Sequence, residues 1–146
     1  MSKTSRDIEL FVVDIFVAIE KIKDYIKLFD SPDGLWMDSL RWDATLRELE
    51  IVGESLNALL KSKTFSKKSP KYFRKVVNFR NSIIHEYFGI DSEEVWDIVT
   101  NKLDVLKLDL IYTVKELRID LKEAIESAKF ELKKRGDDTI LRNLEI

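Results

Sequence analysis

The chain of 146 residues contains no cysteine, two prolines, four glycines and a single histidine. Without Cys there is no disulfide framework and no thiolate metal site, and the chain fits a reducing cytoplasm. One His and no Cys leave zinc without its preferred ligands, so no metal and no cofactor is expected. So few Gly and Pro leave long stretches without a helix breaker. No stretch approaches ~18 uninterrupted apolar residues, so no membrane span is expected. The opening Met1-Ser2-Lys3-Thr4-Ser5-Arg6-Asp7 leads into an amphipathic pattern, not the continuous apolar run of a signal peptide. An excess of either charge is lacking as well: 25 Lys and Arg nearly balance 27 Asp and Glu. The net charge is −2, so any affinity for phosphate must be local. With 45% hydrophobic residues, one globular domain with a single core is expected.

What is present is helical periodicity. Apolar residues recur at Ile8, Phe11, Val12, Ile15, Ile19, Ile22, Ile26 and Phe29, the spacing of a helix with one buried face. Ser31-Pro32-Asp33-Gly34 then breaks the pattern with turn formers. A second helix is predicted over about 36–60, with Leu46, Leu49, Val52, Leu56 and Leu59 or Leu60 inward. Gly53 within it reads as a point of close approach by another helix, or as an incidental glycine.

Residues 61–70 read as a polar loop rich in Lys and Ser. A third helix starts near Pro70, where Pro is tolerated in the first turn, and ends near Glu86 or Tyr87. Asp91 with Glu94 resembles a capping box. A fourth pattern runs from Val95 to Leu132 with no Gly or Pro until Gly136, as one very long helix or two meeting at a bend. There is no internal repeat and no strand alternation. The expected fold is all-α, an antiparallel helical bundle of about four to five helices over residues 1–112. Residues 113–146, dense in both charges, form a helical extension continuous with the bundle or packed on it.

The third helix carries the chemistry. At 100° per residue, Phe73, Val76, Val77, Ile83, Ile84 and Tyr87 fall within about 60° of Arg80. A guanidinium in the middle of an apolar face needs a partner, a cleft or a ligand. Asn81 and His85, four apart, stand one above the other at the flank of that face. These groups suit RNA cleavage without a metal. An imidazole can take the proton of a 2′-hydroxyl or give one to the leaving 5′-oxygen. A guanidinium can fork the non-bridging oxygens and stabilise the developing charge, and Asn can orient either the His or the phosphate. Residues 55–85 contain no Asp or Glu, yet hold Lys61, Lys63, Lys67, Lys68, Lys71, Arg74, Lys75 and Arg80. Lys67, Lys68, Lys71, Arg74 and Lys75 therefore read as a docking surface for RNA or for an acidic partner.

The run Arg80-Asn81-Ser82-Ile83-Ile84-His85-Glu86-Tyr87 resembles the Arg-Asn-x-x-x-His-x-Tyr signature of HEPN domains, and more narrowly the HepT-like toxins of prokaryotic two-gene modules. Residues 43–54, from Asp43-Ala44-Thr45-Leu46 to Val52-Gly53-Glu54, are similar to the family's second-helix pattern, and Gly89-Ile90-Asp91 with Val95-Trp96 to its downstream segment. The resemblance covers roughly residues 5–112 and leaves the charged tail unmatched. It implies an all-helical homodimer with the site in a cleft between the two motif helices. Arg80 and His85 would be the catalytic pair and Asn81 an orienting residue. The implied reaction is metal-independent endoribonucleolytic cleavage leaving a 2′,3′-cyclic phosphate and a 5′-hydroxyl. The implied partner is an MntA-like nucleotidyltransferase antitoxin that adenylylates Tyr87, occupying the anion site and blocking RNA.

Two other functions fit the same residues. A non-catalytic HEPN module partnering a nucleotidyltransferase would use the basic stretch to hold a nucleotide or substrate phosphate. A purely structural bundle would act only by assembly.

Overall fold

The computed structural model describes residues 5–144, and among these it is helical with no strand. Met1–Thr4, in the segment read above for a signal peptide, and Glu145 with Ile146 at the end of the tail lie outside the described residues. The long helices are α1 (Ser5–Ile26), α3 (Ser39–Leu60), α5 (Phe73–His85), α7 (Leu103–Glu116) and α8 (Lys122–Arg135). Short helices α2 (Pro32–Met37), α4 (Lys63–Lys68), α6 (Ser92–Asp97) and α9 (Asp138–Asn143) connect or end them. The arrangement is an all-α antiparallel bundle. α1 packs along α3, and α3 packs on its other side against α5.

The core follows from the sequence periodicity. Val12, Ile15, Phe16, Ile19 and Ile22 of α1 are fully buried against Leu46, Val52, Leu56 and Leu59 of α3. Each buried side chain of this size contributes roughly 1.5–3 kcal/mol, which sets the α1–α3 pair as the spine of the molecule. Phe73, Val77 and Ile83 attach α5 to it, and Val99, Leu103, Leu106 and Leu110 close the far side.

Local chemistry sets the breaks. The predicted second helix divides at Asp38, whose carboxylate accepts from the Arg41 backbone N–H at 3.0 Å and so starts α3 afresh. Ser31 caps the preceding turn by accepting from Gly34 N at 3.1 Å. The segment read as a polar loop holds α4, capped by Ser62 and anchored by one fully buried side chain, Phe65. A single aromatic among Lys and Ser gives no periodicity to read. α5 begins at Phe73, after a turn that includes Pro70. Asp91 does cap α6, accepting from Glu93 N at 2.9 Å.

The helix beginning at Ser92 continues to Glu116 through a π-helical turn at Ile98–Lys102. It then breaks at residues 117–121, where Arg118 takes a positive φ of 56°. Of the two readings offered by the sequence, two helices meeting at a bend is the observed one. α8 ends at Gly136, φ 74°, the left-handed C-cap that glycine adopts without strain. The tail folds back on α1, burying Ala124, Leu132, Ile140 and Leu144.

Candidate functional site

α5 is held to α3 by a missing side chain. A Cβ on Gly53 would overlap that of Arg80 and lie 2.8 Å from its Cγ. Glycine at 53 is therefore what lets α5 approach α3 at Arg80, the close-approach reading of the sequence. The same contact explains Arg80. Its stem packs over Gly53, and the side chain is 25% exposed. Nη1 donates to Asn81 Oδ1 at 2.8 Å, and Nη2 lies 3.8 Å from Glu54 Oε1, at the outer limit of an ion pair. Nε is buried with no acceptor among the described residues. The described residues thus satisfy the guanidinium only in part, and an unmade buried bond of this kind costs about 1–3 kcal/mol.

Asn81 and His85 are exposed on the flank of α5, as the helix geometry predicts. Accepting from Arg80 orients the Asn81 amide, whose N–H groups have no acceptor among the described residues. His85 is the last residue of α5 and makes no side-chain hydrogen bond among the described residues, so both ring nitrogens are available. Arg74 and Asn78 lie on the same flank. With Asn81 and His85 they span about 60° of the helix, a polar strip roughly 16 Å long. All four are exposed. Asn78 escaped the sequence reading, although its spacing from Asn81 and His85, three and seven residues, was available as a signal.

The basic residues divide. Lys67 and Lys68 are exposed on α4, and Lys71 in the turn after it. Arg74 joins the polar strip. Lys75 turns about 100° away from it. Lys75 lines a groove of about 500 Å³ with Tyr72, Val76, Phe79, Glu94 and Lys102. The π turn forms part of the opposite wall of this groove. None of these five cations is in an ion pair among the described residues.

Tyr87 opens a 3₁₀ turn, Tyr87–Gly89, directly after α5. Its hydroxyl donates to Asp43 Oδ1 on α3, a tie across 44 residues that no local pattern reveals. That bond holds the proton on the phenol and pushes its pKa up to about 12. Phe88 stacks edge-to-face on Tyr87 at 5.3 Å and is itself fully exposed, and Ile84 beside it is nearly half exposed. An apolar patch therefore adjoins His85. Among the described residues no group of His, Asp or Glu could hold a metal ion, and no helix is long and apolar enough to cross a membrane.

An all-helical bundle with an Arg-Asn-x-x-x-His-x-Tyr helix set against a glycine-marked neighbour defines a class, and comparison with known proteins gives the same answer. The sequence profile of the family described as "Ribonuclease HepT-like" matches residues 15–113. The chain belongs to the HepT-like ribonuclease family. It is 34% identical over 101 residues to "Putative RNase MJ0127" of Methanocaldococcus jannaschii, covering 67% of this chain and 79% of that one. "Putative RNase MJ1380" of the same organism is 32% identical over 75% of this chain and 97% of its own length. "Probable ribonuclease HepT" of Thermococcus cleftensis is 30% identical over 73% and 93%. No solved structure gives a significant match.

Proposed function

We propose that this protein is a metal-independent endoribonuclease, the toxin of a toxin–antitoxin pair, with its site completed at a homodimer interface. The observation that carries the reading is the half-satisfied Arg80, fixed over Gly53 and bonded to Asn81 on the helix that ends in an unpaired His85. Arg80 holds the non-bridging oxygens of the scissile phosphate, and Asn81 keeps Arg80 and the phosphate in register. His85 exchanges the proton of the 2′-hydroxyl or of the leaving 5′-oxygen. Because one protomer supplies one His, a second copy across the exposed Ile84–Tyr87–Phe88 patch supplies the opposite member of the acid–base pair.

The catalytic unit is the bundle, residues 1–112, and residues 113–146 are an extension of it, whose helices α8 and α9 pack on α1. Lys67, Lys68, Lys71 and Arg74 steer RNA toward α5, and Lys75, in the apolar groove, serves a protein partner. That partner is an MntA-like nucleotidyltransferase antitoxin that silences the enzyme by adenylylating Tyr87. The family of ribonucleases to which the chain belongs supports the RNA substrate; the exposed position of Tyr87 beside His85 supports the modification.

The deciding experiment incubates wild-type and His85→Ala protein with mixed RNA in EDTA and reads the product ends. Wild type is expected to cleave and leave cyclic-phosphate ends, with His85→Ala slower by about 10²–10⁴-fold. Cleavage that needs a divalent metal, or that survives in His85→Ala, refutes the mechanism.

A further inference from the structure

The Tyr87 hydroxyl must lose a proton to become a nucleophile, and its surroundings in this chain offer one place for the proton to go. Asp43 accepts from it directly, and Asp43 makes no ion pair among the described residues, so no cation competes for its carboxylate. It is also exposed, on a solvent-facing turn of α3. The contrast within the molecule is sharp. Tyr112 is more exposed, 64% against 37% for Tyr87, yet has no acceptor for its hydroxyl among the described residues. Tyr72 also donates to a carboxylate, Asp109, but is half-buried in the wall of the apolar groove. Only at Tyr87 do accessibility and a waiting carboxylate coincide among these three.

We propose that Asp43 is the general base for adenylylation of Tyr87, an inference that rests on Tyr87 being the modified residue. As the phenol oxygen attacks the α-phosphorus of ATP held by the transferase, its proton passes to Asp43 Oδ1. The new O–P bond forms while the bond from the α-phosphorus to the bridging oxygen breaks, and pyrophosphate leaves. Asp43 then returns the proton to water. A carboxylate at hydrogen-bond distance from the nucleophile fits the geometry of base catalysis, and the phenol keeps its proton until attack begins. The toxin thus carries part of the machinery for its own silencing, on a helix other than the one it silences.

The test uses adenosine 5′-phosphorimidazolide, an activated adenylate that needs no transferase, with labelling read residue by residue by mass spectrometry. In the wild type Tyr87 is expected to label faster than Tyr112. Asp43→Asn keeps an acceptor for the hydroxyl but removes the base. Its Tyr87 labelling should fall by about 100-fold or more, and then climb with pH where the wild type is flat, with Tyr112 unchanged. Asp43→Glu, which keeps a carboxylate, should restore labelling, and this guards against a fold defect in the Asn variant. Equal labelling in Asp43→Asn and wild type, or Tyr87 no faster than Tyr112, overturns the proposal. A second arm supplies an MntA-like nucleotidyltransferase and ATP. Wild type left unmodified at Tyr87 there sinks the reading on which the proposal rests. Asp43→Asn modified at the wild-type rate sinks the proposal alone.

Discussion

Arg80 shows how far single residues can be read. A guanidinium among Phe73, Val76, Val77 and Ile83 is anomalous on a helical wheel, and the structure gives the anomaly its cause: the stem covers Gly53 and the head reaches Asn81 and Glu54. Its neighbour in the ion pair was not legible, because Glu54 meets it across two helices and at no fixed sequence spacing. The Tyr87–Asp43 bond was hidden for the same reason. Buried carboxyls form a second group that periodicity does not reveal. Glu48 is only 8% exposed, and burial raises its carboxyl above the ordinary range, with Lys21, Arg47 and Arg135 pulling more weakly the other way. A raised folded-state value means that the folded chain holds its proton more tightly than the unfolded one. Stability from this group is full below the unfolded carboxyl's range and is lost as pH rises through the folded value. Glu48→Gln is therefore expected to melt higher than wild type at pH 7, with the gain vanishing below about pH 4. Equal melting temperatures at pH 7 would refute this, and circular dichroism across a pH series reads it.

Among the elements, α1, α3 and the body of α5 were legible because their apolar residues repeat on one face over about three turns or more. What escaped was short or locally determined. α4 rests on Phe65 alone, α2 separates from α3 through the Asp38 cap, and the break at residues 117–121 contains neither Gly nor Pro. Arg118 turns the chain there with a positive φ that its residue type does not announce. The α3–α5 crossing is the element-scale feature on which the site depends. Alanine ordinarily gains about 1 kcal/mol over glycine inside a helix. At Gly53 the new methyl meets the base of the Arg80 side chain, which cannot swing away, so overpacking wins. Gly53→Ala is expected to destabilise the fold by about 1–3 kcal/mol in urea titration, and to lower RNA cleavage by more than the loss of folded protein accounts for. A variant as stable and as active as wild type would mean that the two helices do not meet as described.

For the molecule as a whole, charge is distributed unevenly. The acid-free stretch places Lys67, Lys68, Lys71 and Arg74 unpaired on the outer surface near α5, while the mixed charges of the tail sit on α1, across the α3 layer. This asymmetry was visible in the sequence; that Lys75 faces a groove was not, since the groove's other wall comes from the π turn and α7, distant in sequence. If Arg74 contacts phosphate and Lys75 does not, Arg74→Ala should reduce the steepness with which RNA affinity falls with salt, by about one in the log–log slope. Lys75→Ala should leave the slope unchanged. Filter binding across a salt series measures both, and equal slope changes would erase the distinction between the two faces.

Gly53 also has a genetic meaning. Every amino-acid replacement there installs a side chain, and Arg80 leaves room for none. The position is thus a mutational target as narrow as the proposed catalytic residues, although it lies 27 residues upstream of the nearest of them, Arg80, and carries no functional group. If the chain is the toxin proposed above, then in a population forced to survive its expression without the proposed antitoxin, lineages that escape would accumulate changes at Gly53 beside those at Arg80 and His85. The inheritance of harmlessness would then be written partly in a residue that does no chemistry.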